Sequence, residues 1–73
     1  MKIIEFRVEG MHCKSCEMLI NGALEDLGVK KSKADKDNGT VRVHFNEDEI
    51  SKMKIRQVIQ DEGYKVFVEK TVE

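Results

Sequence analysis

The residues best able to do chemistry stand together in Gly10-Met11-His12-Cys13-Lys14-Ser15-Cys16. Two cysteines three positions apart, one in a loop and one in the first turn of a following helix, can turn both sulfurs toward one ion without a change of fold. A helix N-terminus carries partial positive charge and unpaired N–H groups, and Lys14 adds a full charge beside them, so thiolate is favoured over thiol. Thiolate is the form that binds metal. Two thiolates with no evident third or fourth ligand suit a soft ion content with few neighbours, and copper(I) is the first candidate. Structural zinc(II) wants four ligands, as two such pairs or as a pair with two histidines at fixed spacing, and the chain has neither. Zinc(II) or another soft divalent ion, cadmium or mercury(II), therefore ranks second and would need an extra ligand such as His12. Neighbouring side chains in an extended loop point apart, so His12 is expected to face solvent beside the site. A thiol–disulfide couple is the remaining alternative, because thioredoxin-type proteins also set Cys-x-x-Cys between a strand and a helix. Against it, the chain contains no proline, and so no cis-proline to stand opposite the cysteines.

What must carry that segment is small. With 73 residues the chain is expected to form one domain over 1–73, near the size at which a hydrophobic core is only marginally stabilising. Hydrophobic residues make up 40% and charged residues 37%, with no tryptophan, which describes a thin aliphatic core with no room for an enclosed active-site cavity. The function belongs on the surface, and it is not expected to be enzymatic. A net charge of -1, from 13 basic and 14 acidic residues spread along the chain, excludes nucleic acid as the main ligand, because that needs a concentrated basic face. No run approaches the roughly 20 apolar residues that cross a bilayer, and the charged start Met1-Lys2-Ile3-Ile4-Glu5 lacks a signal peptide's apolar segment. The expectation is a cytoplasmic protein without membrane insertion. In that compartment thiols stay reduced, so a cysteine pair reads as a metal or redox site. A bridge between Cys13 and Cys16 would in any case close too short a loop to constrain the unfolded chain much.

The elements follow from hydrophobic period. Ile4, Phe6 and Val8 alternate with Glu5 and Arg7, which predicts a first strand over 2–8. Ile20, Ala23, Leu24 and Leu27 fall on one helical face, with Ser15 placed as N-cap and Gly28 as the stop, which predicts a helix over 16–27. From Val29 a polar strand with Ser32 and Ala34 inward leads to the Asn38-Gly39 turn, and Val41, Val43 and Phe45 then alternate inward. Ile50 and Ile55 are spaced as a hydrophobic staple around Ser51, the N-cap of a helix over 52–62 that Gly63 ends. Tyr64 to Lys70 gives a last strand built on Val66 and Val68, its alternation blurred by Phe67. Met18 and Met53 lie at the edges of the helical stripes, where partial burial is the default. The order is βαββαβ: an α+β, ferredoxin-like sandwich with a four-stranded antiparallel sheet and two helices on one face.

With these elements in place, the sequence resembles the heavy-metal-associated domain family, the copper chaperones and N-terminal domains of heavy-metal-transporting P-type ATPases. The resemblance runs through Gly10-Met11-x-Cys13-x-x-Cys16, the helix residues Ile20, Leu24 and Leu27, Gly28-Val29, and Gly63-Tyr64. It implies that Cys13 and Cys16 bind the metal and that Met11 is a buried anchor behind the loop. It further implies that Tyr64 sits beside the loop, as in bacterial-type members, where it either influences the thiolates without coordinating or only fills the core. A copper-transporting P-type ATPase, or another acceptor with a similar cysteine pair, is the implied partner. The metal-free protein would be a monomer, with a metal-bridged dimer open to the loaded form. The ion would pass by ligand exchange, with loop residue Cys13 the first sulfur offered to the partner and Cys16 the anchor. The one departure from the family is the polar second strand at Ser32 and Lys33.

Overall fold

Residues 1–72 are described by the structure, a computed structural model, in the order β1 (Lys2–Glu9), α1 (Lys14–Leu27), β2 (Lys31–Asp35), β3 (Thr40–Phe45), α2 (Lys52–Asp61) and β4 (Lys65–Thr71). All strand pairs are antiparallel in the sheet order β2-β3-β1-β4, the expected ferredoxin-like arrangement. β1 is central, and Ile4, Phe6 and Val8 lie in one core with Val41, Val43 and Phe45 of β3. The helices close that core with Ile20 and Leu24 from α1 and Ile55 and Ile59 from α2, all four with no exposed surface. Each such side chain contributes about 1.5–3 kcal/mol by leaving water, so the apolar stripes alone hold both helices to one face.

The ends of the helices show where local rules held and where they did not. Ser51 caps α2 as expected, its hydroxyl accepting from the Lys54 N–H at 3.2 Å, with Ile50 and Ile55 both buried around it. Gly28 ends α1 at φ +107°, its N–H bonding the carbonyls of Leu24 and Glu25. At the start of α1 the expectation fails: the helix begins at Lys14, and its N-cap is Cys13, not Ser15. Cys13 is extended at φ -148°, and its side chain makes no capping bond. The sulfur is thereby left free at the position where a serine or aspartate would normally turn inward to the helix amides.

β2 is polar because α1 supplies its partners. The side-chain oxygen of Asn21 accepts from the Ser32 hydroxyl and from the Ala34 N–H, each at 3.1 Å. A Glu17 carboxylate oxygen accepts from the Lys36 N–H at 2.8 Å. β2 is a sheet edge, and these bonds cover backbone that would otherwise be open to another strand.

β4 departs from simple alternation. Its register against β1 shifts between Arg7 and Val8, so that Val66 faces Val8 while Val68 faces Arg7. The extra residue, Phe67, reverses which face the following side chains take. Val66 is buried, but Val68 is 54% exposed, which corrects the expectation that both point inward. The reversal also brings Glu69 opposite Phe6 on the helix side, where its carboxylate pairs with Lys52 at 3.4 Å and Arg56 at 3.8 Å on α2. Met18 and Met53 are not partly buried but largely exposed.

Candidate metal centre

The loop that leaves β1 reaches α1 in four residues, and each has a distinct setting. Gly10 stands at φ +108°, where a Cβ would lie 3.2 Å from the Tyr64 ring, so glycine serves both the left-handed backbone and the approach of the aromatic. Met11 is buried in the core cluster and fixes the loop from behind. His12 is exposed and Cys13 is exposed, whereas Cys16, on the first turn of α1, is half-buried against the core. The two sulfurs are free thiols 3.6 Å apart, close enough for one ion to touch both.

Cys16 is the sulfur whose charge the fold controls. Its pKa falls from the ordinary 9.0 to about 7, chiefly through the Tyr64 hydroxyl, then through the backbone N–H groups of His12 and Cys13, against a smaller opposing effect of burial. The same contact pushes Tyr64 up to about 12, first because its O–H is held toward the Cys16 sulfur, then through burial, and then because a phenolate beside a thiolate would be repelled. Lys14, expected to supply charge here, is exposed and is not among the leading causes. The Tyr64 hydroxyl and, after it, backbone donors around the helix start do that work instead.

Among the described residues no group of three or more Cys, His, Asp and Glu side chains converges as a metal site. His12 contributes its backbone N–H toward Cys16 and leaves its imidazole in solvent. The centre thus consists of two sulfurs, one exposed and one held, with an aromatic hydroxyl beside the held one. Among the described residues no helix is long and apolar enough to cross a membrane.

The model of the heavy-metal-associated domain matches residues 5–65, from within β1 through both cysteines to the first residue of β4. The chain belongs to the heavy-metal-associated domain family. A relative, the copper chaperone CopZ of Staphylococcus haemolyticus strain JCSC1435, is 38% identical over 60 residues, covering 81% of this chain and 88% of its own. Among solved structures, a CopZ metallochaperone superposes with a TM-score of 0.87 at 27% identity, covering 89% of this chain and 98% of its own. The N-terminal domain of a potential copper-translocating P-type ATPase from Bacillus subtilis, solved in the Cu(I)-loaded state, superposes with a TM-score of 0.86 at 28% identity. That likeness covers 94% of this chain and 90% of the other. As a heavy-metal-associated domain the chain therefore has similar folds both in chaperones and in transporter domains.

Sequence reasoning singled out both cysteines and, through the resemblance, Met11 and Tyr64, and it did not foresee that Asn21 and Glu17 hold the strand that follows α1. Their signal was present: two polar side chains one helical turn apart on α1 (i, i+4), and an unusually polar strand following it.

Proposed function

We propose that this heavy-metal-associated domain carries one copper(I) ion between the Sγ atoms of Cys13 and Cys16 and passes it to a protein with a similar cysteine pair. It is a carrier and not an enzyme. The observation that carries the reading is the sulfur pair itself, 3.6 Å apart, with no His, Asp or Glu converging on it among the described residues. A soft ion that accepts two ligands suits such a centre, whereas zinc(II) would be left short of ligands. The copper chaperone and Cu(I)-loaded relatives support the same ion.

The geometry divides the work between the sulfurs. With sulfur–metal bonds of about 2.3 Å, a linear bridge spans about 4.6 Å, so the sulfurs must part by about 1 Å on loading. Cys13 is the exposed one and can move, while Cys16 is packed against the core. In transfer, an incoming thiolate joins the ion, a three-coordinate intermediate forms between the proteins, and Cys13 releases first. Met11 anchors the loop while this happens, and Tyr64 favours the Cys16 thiolate without binding the ion. A copper-transporting P-type ATPase is the partner this mechanism favours. A metal-free monomer, and a dimer sharing an ion through exposed Cys13, follow from the same openness.

Anaerobic titration with copper(I) against a competing chelator, with X-ray absorption to count sulfurs, tests the reading. One ion per chain with two sulfur neighbours is expected, and a Cys13→Ser/Cys16→Ser double variant should lose it. A reduced protein that cannot outcompete a moderate chelator, or that prefers zinc(II), would overturn the assignment.

A further inference from the structure

Cations that look evenly spread along the chain are gathered by the pleat of the sheet. Both helices lie on one side, so every second residue of each strand falls on the open side, and the register sets these residues in rows. Lys33, Arg42, Glu5 and Lys70 stand abreast across all four strands, beside a row of Asp35, Thr40, Arg7 and Val68. With Lys31, which pairs with His44, the open face holds five cations against two carboxylates, a net +3. The whole chain is -1, so everything else sums to -4. Arg42 is tied to Glu5 at 2.9 Å, whereas Arg7, Lys31, Lys33 and Lys70 are exposed and have no ion pair among the described residues. Asp35 is committed to the turn, where it accepts from the backbone N–H groups of Asp37 and Asn38 and from the Asn38 amide.

The same face has an apolar border. The register shift in β4 leaves Phe67 58% and Val68 54% exposed, and Val72, whose N–H bonds the Ile3 carbonyl, is 41% exposed. Next to this border Arg7, Thr40, Arg42 and Lys33 line a shallow depression of about 480 Å³. Cations beside an aromatic ring on one flat face are what a surface lying on an anionic bilayer needs. The cations face lipid phosphates, and the ring sits at headgroup level.

We propose that the open face of the sheet rests on anionic phospholipid headgroups, with Arg7, Lys31, Lys33 and Lys70 facing the phosphates and Phe67 and Val68 entering the headgroup layer. Charge complementarity argues for this occupant and also orients it, because the remaining -4 is repelled by the same surface. Four unpaired cations and one ring give a peripheral, reversible association. A single strand of nucleic acid fits less well, since it needs a succession of aromatic platforms and Phe67 is the one Phe, Tyr or Trp on this face, at its edge. None of these residues belongs to the metal centre, so the inference stands apart from the choice of ion. Cys16 starts the helix on the opposite side and Cys13 lies in the loop beyond β1, so a docked chain keeps its sulfurs clear of the lipid.

The test is cosedimentation of the full, reduced chain with vesicles, either phosphatidylcholine alone or two parts phosphatidylcholine to one part phosphatidylglycerol. Binding is expected to the mixed vesicles at low salt, with release as salt shortens the reach of the charges, and none to phosphatidylcholine alone. Arg7→Gln/Lys33→Gln should weaken binding about 25-fold, at about fivefold per cation, and leave the thermal midpoint unchanged. The chain has no tryptophan, so Phe67→Trp reports on the face directly. Its emission should shift to the blue with the mixed vesicles, while that of Met53→Trp, at a 76% exposed position on α2, should not. No association with the mixed vesicles at low salt, equal binding by the Arg7/Lys33 variant, or a shift at position 53 and not at 67 would each overturn the proposal. Tighter binding to a single-stranded oligonucleotide than to the vesicles would overturn lipid as the occupant, as would release by inorganic phosphate at constant ionic strength, which would reassign the cations to a site for one phosphate.

Discussion

Cys16 and Tyr64 act as a unit, because a phenol that shifts to about 12 does so by favouring the thiolate it faces, at about 7. The sign follows directly. Groups that lower a thiol's pKa raise its thiolate fraction at a given pH, so removing the phenol should move the titration upward. In a Cys13→Ser background, the rate of Cys16 alkylation by iodoacetamide should follow pH with a midpoint near 7, and Tyr64→Phe should shift that midpoint toward the ordinary 9.0. An unmoved midpoint would mean that the backbone N–H groups suffice. Gly10 supports the same ring. Gly10→Ala would place a Cβ 3.2 Å from Tyr64 at φ +108°, and it should cost about 1–3 kcal/mol in urea unfolding, the range for a strained backbone position.

At the scale of elements, β2 depends on α1 more than on its own side chains. Its only buried residue is Ala34, and the oxygen of Asn21 accepts two of its donors at once. Asn21→Ala should destabilise the protein by about 1–3 kcal/mol, the cost of leaving part-buried donors unpaired. Hydrogen exchange at the Ala34 amide should quicken more than at Val43, which lies in the interior of the sheet. Uniform quickening would show instead that β2 and the core open together. The β4 shift also acts at this scale, since one added residue places Phe67 and Val68 in solvent and turns Glu69 toward the cations of α2.

For the molecule as a whole, the core and the metal centre are separable. Ile59 has no exposed surface, and Ile59→Ala should cost about 2–5 kcal/mol, a large share of the roughly 4–11 kcal/mol expected for a domain of this size. The Cys13→Ser/Cys16→Ser variant should unfold within a few degrees of the wild type, since one sulfur is exposed and neither caps the helix nor forms a bridge. Calorimetry on both, metal-free, distinguishes the two classes. A cysteine variant that unfolds as early as Ile59→Ala would place the sulfurs among the structural supports.

The sequence by itself determined the element order, both helix stripes, the turn at Asn38-Gly39 and the two cysteines, because each rests on local period or spacing that a short window contains. The resemblance carried by Gly10-Met11-x-Cys13-x-x-Cys16 added Met11 and Tyr64, residues 53 positions apart that no local pattern joins. Only the tertiary structure decided the rest. Whether Ser15 or Cys13 caps α1 depends on where the loop from β1 delivers the chain, and whether Val68 points inward depends on a register shift against β1. The polar character of β2 has its reason in Asn21, eleven residues earlier on another element. A pattern in sequence states which face is apolar; packing between distant segments decides what that face meets, and which polar group finds a partner.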